Sequence, residues 1–210
     1  MSLPRLLVIA KAPEPGRSKT RLCPPCTPEQ AAELAEAALA DTLDVISRTE
    51  CSGRTIFLDG TPGDWLPEGF EVLAQSEGGL GDRLADAFSR VAGPAFLVGM
   101  DTPQISPELI SESMERLQQP GTDAVIGLCP DGGYWGIGMN EGEPGAFDGV
   151  PMSAGDTGRR QIEQLEKLGM RVSELPMLRD VDYFSDARTV SAESPDGRFA
   201  STFASMELAL

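Results

Sequence analysis

The fold class predicted for this chain is α/β, a single domain built on a mostly parallel sheet. Three observations predict it. Short, continuously apolar runs recur along the chain, segments of helical periodicity alternate with them, and 210 residues suit one large domain. No repeat, long linker or break in composition interrupts the alternation, so residues 1–210 are expected to form one unit.

Leu6, Leu7, Val8, Ile9 and Ala10 form an apolar run ending at Lys11, the pattern of a strand buried on both faces. A Pro-rich loop follows. Thr27, Pro28 and Gln30 match an N-cap, a first helical position and a capping-box partner, and Leu34, Leu39, Leu43 and Ile46 carry helical spacing to about Thr49. Residues 55–58 and 71–74 read as strands separated by a Gly and Pro loop. Leu80, Leu84, Phe88 and Val91 mark a helix. Residues 95–99 are a buried strand, and Ser106 with Pro107 opens a helix to about Gln119. Strands at 124–128 and 134–139, a helix at 157–168 and a strand at 172–175 complete the pattern. In such sheets ligands sit at the carboxyl ends of strands, which selects residues 11–22, 75–82, 100–103 and 180–182.

Composition narrows the chemistry. Seventeen Lys and Arg against thirty-three Asp and Glu give a net charge of −16, whose field repels nucleic acid and anionic lipid. There is no histidine, which removes His triads, His zinc sites and imidazole acid–base catalysis, and leaves carboxylates, Lys, Tyr, Cys or a hard metal on oxygen. The apolar run at residues 6–10 is shorter than a signal-peptide core, and no stretch reaches the ~18 apolar residues of a membrane span, so a cytoplasmic protein is expected. Four cysteines are too few for a disulfide scaffold. Cys23 and Cys26 form a CxxC pair, but zinc would need four ligands without histidine; they read as structural, as do Cys51 and Cys129.

Four constellations carry chemistry. Residues 11–22, KAPEPGRSKTRL, hold four of the seventeen basic residues against one acid, Glu14, in a Gly and Pro loop suited to a phosphate chain. It is not a Walker A loop, because Pro13 and Ser18 stand where that motif needs glycine. Asp101 leaves a buried strand in VGMDTP, and Asp180 and Asp182 follow the last strand; each could hold Mg²⁺ or Mn²⁺ against phosphates, or simply terminate a turn. Asp131, Gly132, Gly133 and Tyr134 open DGGYWG, where the glycines permit close approach to a ligand or form a hairpin. QSEGGLGDR, residues 75–83, is a Gly-rich strand-to-helix turn.

In this order, KAPEPGRSKTRL, QSEGGLGDRLADAF, FLVGMDTPQIS, DGGYWGIG and DVDYFSDA resemble the nucleotide-diphospho-sugar transferase superfamily. The nearest likeness is to its bacterial glycosyltransferase A-like branch, which is similar to phospholactate guanylyltransferases and molybdopterin cofactor nucleotidyltransferases. The resemblance covers residues 5 to about 190 and leaves 191–210 as a C-terminal extension. It implies a three-layer, Rossmann-like GT-A sandwich with a mixed sheet. It places nucleotide and phosphate on Lys11, Gly16, Arg17, Lys19, Arg21, Gln75 and Gly81, a divalent Mg or Mn ion on Asp101 with Asp180 or Asp182, and an acceptor beside residues 131–134. Lys19 and Asp101 are the implied catalytic pair. Two positions depart from the pattern: Asp101 is followed by Thr102 and Pro103, not by a second acid, and Tyr183 and Phe184 replace a common Thr-Pro pair.

Two reactions and one binding role follow. A nucleoside triphosphate could be attacked at its α-phosphorus by a phosphate-bearing small molecule, which needs no general base and suits a protein without histidine. Glycosyl transfer from a nucleotide-sugar to a hydroxyl would need a carboxylate base, for which Asp131 and Asp156 are candidates. A non-catalytic nucleotide-binding domain is the third. The basic loop and lone Asp101 favour the first. None of these patterns encodes the base, the acceptor or the oligomeric state.

Overall fold

In the computed structural model, which describes residues 2–208, seven strands form one sheet. They are β1 (Arg5–Lys11), β2 (Arg54–Asp59), β3 (Glu71–Ala74), β4 (Ala95–Val98), β5 (Ala124–Leu128), β6 (Tyr134–Met139) and β7 (Val172–Leu175). Their spatial order is β3-β2-β1-β4-β6-β5-β7. Only β6 runs antiparallel to its neighbours, β4 and β5; the remaining pairings are parallel. The expected mixed, mostly parallel sheet is therefore the fold.

Residue alternation along β1 explains why it is apolar from Leu6 to Ala10. Leu6, Val8 and Ala10 face a core shared with Leu39, Leu43 and Ile46 of α1 (Pro28–Arg48) and Ile110, Met114 and Leu117 of α3 (Pro107–Leu117). Leu7 points the other way, toward Leu84 and Phe88 of α2 (Leu80–Ser89) and Leu165 of α4 (Thr157–Lys167). Helices thus cover both faces. The expected capping box on α1 is present: the Thr27 hydroxyl accepts from the Gln30 amide and the Gln30 side chain accepts from the Thr27 amide.

Two helices have no counterpart in the sequence reading, α5 (Phe184–Glu193) and α6 (Arg198–Glu207). They form a second apolar layer outside α1, in which Phe199, Phe203 and Met206 pack on Ala31, Leu34 and Ala38. Leu22 and Val181 belong to the same cluster. Asp41, buried on α1, accepts from the backbone N–H groups of Arg198 (3.1 Å) and Phe199 (2.9 Å), so α6 draws its N-terminal cap from another helix. No helix among the described residues is long and apolar enough to cross a membrane.

The sheet direction positions everything that follows. Six strands present their carboxyl ends at one edge, and the reversed β6 presents its start there. The loops after β1, β2, β3, β4, β5 and β7, and the turn before β6, therefore converge.

Candidate active site

At that edge lies a cavity of about 550 Å³. It opens where β1 and β4 adjoin, with β2 and β3 stepping away to one side and β6, β5 and β7 to the other, the crevice in which α/β sheets bind ligands.

Its centre is an ion cluster contributed by three distant parts of the chain. Lys19 takes a left-handed backbone conformation (φ 47°) just before a single 3-10 turn, Thr20–Leu22. Its Nζ donates to Asp101 Oδ2 at 2.7 Å and to Asp182 Oδ1 at 3.0 Å. Arg21 donates to the other oxygen of Asp182. The Asp101 carbonyl accepts from the Val181 amide at 2.9 Å, which fastens the loop after β4 to the loop after β7. Burial alone would lower the Lys19 pKa, but the charges of Asp101 and Asp182 outweigh it and hold the ammonium firmly protonated. Burial would likewise raise Asp182, yet Lys19 and Arg21 keep it below its ordinary value.

Asp180 is the exception. Burial first, then the charges of Asp101, Asp131 and Asp182, push its pKa up to about 6. Oxygens of Asp101, Asp180 and Asp182 lie within 4.8 Å of one another. Three hard oxygens, one of them on a carboxylate whose charge is disfavoured by burial and by its neighbours, are a donor set that fits Mg²⁺ or Mn²⁺.

Of the residues singled out from sequence, Lys11, Arg21, Gln75, Asp101, Asp131, Gly133, Tyr134, Asp180 and Asp182 line the cavity. Lys19 lies at its floor through Asp101, and Arg17 lines an adjoining recess with Lys19 and Thr20. Gly16 and Gly81 do not reach it. Gly16 turns the loop at positive φ, and Gly81 faces Met152 and Phe147, so both shape the backbone and neither approaches the cavity. Gly132 is fixed by packing, since a Cβ there would stand 2.0 Å from the Gly155 carbonyl oxygen. The Gln75 amide donates to the carbonyls of Ala10 and Phe57, so its donors hold strand ends together. Asp156 pairs with Arg160 and is not among the lining residues, while Asp131 is.

One lining residue and one lining segment went unrecognised. Asp59 ends β2 and lies 3.7–4.0 Å from Lys11, Arg17 and Arg83. It obeys the strand-end rule that selected Asp101. The segment from Met152 to Thr157, with Ser153 at φ 62°, forms another wall and carries no sequence motif. The basic loop is also less free than its composition implies: Lys11, Arg17, Lys19 and Arg21 each face a carboxylate.

A family described as uncharacterized protein conserved in bacteria (DUF2064) matches residues 31–154. The chain belongs to that family. This DUF2064 member also resembles a solved protein of Desulfovibrio desulfuricans G20, provisionally named a nucleotide-diphospho-sugar transferase. The two share 29% identity over 99% of this chain and 95% of that chain, with a TM-score of 0.84. Fold alone is shared with CMP:2-keto-3-deoxy-manno-octonic acid synthetase in complex with CTP, at 11% identity, 91% and 98% coverage and a TM-score of 0.57. The same holds for Rv0371c of Mycobacterium tuberculosis H37Rv in complex with manganese, at 21% identity, 90% and 98% coverage and a TM-score of 0.51. No curated protein matches the sequence. The nucleotide-diphospho-sugar transferase fold expected from the motifs is thus the fold of this DUF2064 protein.

Proposed function

We propose that this protein is a divalent-metal-dependent transferase that binds a nucleoside triphosphate and moves its nucleotidyl group to a small-molecule acceptor. The observation carrying the proposal is the meeting of Lys19, Asp101, Asp180 and Asp182 at the β1–β4 crevice, beside a cavity large enough for a nucleotide. Structures of the same fold that hold CTP or manganese support it.

Asp101, Asp180 and Asp182 would hold the ion, which when bound supplies charge neutralisation and polarises phosphate oxygens. Lys11 and Arg21 offer the phosphate chain charge-assisted donors at the cavity wall. Lys19, clamped by two carboxylates, keeps Asp101 and Asp182 aimed at one point. Without histidine, this site works mainly by positioning and electrostatics.

Glycosyl transfer from a nucleotide-sugar is the second reading, favoured by Asp131, a solvent-accessible carboxylate on the cavity wall placed to meet an acceptor hydroxyl. Thermal stabilisation by nucleoside triphosphates and nucleotide-sugars with Mg²⁺ or Mn²⁺ identifies the donor. Phosphorus NMR of the products then separates the readings, pyrophosphate for nucleotidyl transfer and nucleoside diphosphate for glycosyl transfer. Asp101→Asn should lower turnover on the order of a hundredfold, as for loss of a transition-state charge partner, while Tm stays near that of the wild type. Full activity in that variant would refute the metal assignment; binding without turnover in the wild type would leave a nucleotide-binding domain.

A further inference from the structure

The cavity is chemically two-ended. Lys11, Arg83 and Gln75 line the side toward β1, β2 and β3. The side toward β5 and β6 is formed by Tyr134, Met152, Ser153, Ala154 and Thr157, and contains no lysine or arginine. The cations nearest in sequence, Arg159 and Arg160, belong to exposed pairs with Glu163 and Asp156 and are not part of the lining. Asp131 is the charge that this side does contain. One of its oxygens is fixed by the Gly133 amide at 2.8 Å, and no basic side chain lies within 4 Å of it. Arg21 feels its charge but is committed to Asp182.

A second acidic group, Cys129 with Asp131 and Asp180, does not relieve this charge. Burial, followed by the charges of Asp180, Asp131 and Asp101, holds the Cys129 thiol protonated, and a protonated soft sulfur is a poor ligand for Mg²⁺. Across the whole site, counting Lys19, four cations face the five carboxylates of Asp59, Asp101, Asp131, Asp180 and Asp182. Even with one divalent ion added to the four cations, the five carboxylates and the donor's phosphates already consume the positive charge, so a second phosphate has no counter-charge.

From this asymmetry, and resting on the proposed nucleotide-transferase reading, we infer that Asp131 determines acceptor specificity by excluding phosphate-bearing compounds, so that the acceptor is an uncharged hydroxyl compound. This replaces the phosphate-bearing acceptor expected from the sequence. The step balances simply. The acceptor oxygen bonds to the α-phosphorus, the bond from that phosphorus to the oxygen bridging to the β-phosphate breaks, pyrophosphate leaves with the electron pair, and the hydroxyl proton passes to the exposed Asp131 carboxylate on the cavity wall and from it to water.

The test uses the full chain saturated with Mg²⁺ and an α,β-methylene nucleoside triphosphate chosen by thermal shift, titrated with glucose 1-phosphate while resonances of Tyr134, Met152 and Ala154 are followed. Wild type should show no saturable shift at 20 mM on the order of a weak acceptor's affinity. Asp131→Asn, which keeps the oxygen that accepts from Gly133, should bind the probe at least about tenfold more tightly, and Asp131→Lys more tightly still. Millimolar binding to wild type at these residues would overturn the inference. So would unchanged binding in both variants, because Asp131 would then not be the barrier. Failure of the nucleotide analogue to bind at all would instead defeat the transferase reading on which the inference stands.

Discussion

Asp180 keeps its charge against burial and against the charge of three other carboxylates, and this sets a pH dependence. Its pKa in the folded protein, about 6, lies above the ordinary 3.8, so the folded state takes up the proton more readily than the unfolded chain. The stabilisation is fully present below pH 3.8 and is lost as the pH rises through 6. Asp180→Asn removes the repulsion permanently. Without metal at pH 7.5 it should raise stability by about 1 kcal/mol, or ~2–4 °C in Tm, and flatten the change in stability between pH 4 and 7. An unchanged pH profile in calorimetry would contradict the assignment. Sequence named this residue because it follows a strand, and the family resemblance grouped it with Asp101, Asp182 and Lys19; the direct ion pairs of Lys19 with Asp101 across 82 positions and with Asp182 across 163 have no local pattern to encode them. Asp59 satisfied the same strand-end rule yet stood just before a loop without a motif, so nothing in the residues beside it drew attention.

Among the elements, α6 matters most to the site it does not touch directly. Val181, between Asp180 and Asp182, and Leu22, next to Arg21, are buried against Phe199 and its neighbours. A small void there is bounded by Lys19, Met100, Val181 and Phe199. The hold on α6 depends on the Asp41 carboxylate at its first amides. Asp41→Ala should cost about 1–2 kcal/mol, the loss of an N-cap, and should also weaken divalent-ion binding, because Val181 loses its backing. Urea unfolding and calorimetric Mn²⁺ titration check the two effects; a stability loss with unaltered Mn²⁺ affinity would separate α6 from the site. The strong elements were legible. The capping box of α1 and the apolar strands declared themselves through local chemistry. Phe199, Phe203 and Met206 also carry helical spacing, but Gly197 offers no capping side chain; the cap comes from Asp41, 157 residues away.

For the molecule as a whole, a charge of −16 surrounds the site proposed for a nucleoside triphosphate. Long-range repulsion is screened by salt over a Debye length of about 10 Å at 0.1 M, whereas contacts with Lys11 and Arg21 inside the cavity are screened less. Association of a fluorescent nucleoside triphosphate should therefore quicken between 20 and 200 mM NaCl in stopped-flow measurements, opposite to the usual response of a basic nucleotide site. Slower association with salt would show that the local cations dominate at distance. The single reversed strand has a consequence of another kind. After β6 ends at the far edge, the chain runs back along the sheet, anchored by Ala146 and Phe147, and delivers Met152 to Thr157 to the cavity wall. One side of the cavity thus arrives as a contiguous strap that contains no strand and is tied to α4 midway, where Gln161 and Gln164 donate to the carbonyls of Ala146 and Gly145. Beyond that tie, Met152 to Ala154 can change in size and polarity without disturbing the sheet or its acidic cluster, so the wall proposed for the acceptor can be reshaped apart from the wall proposed for the nucleotide.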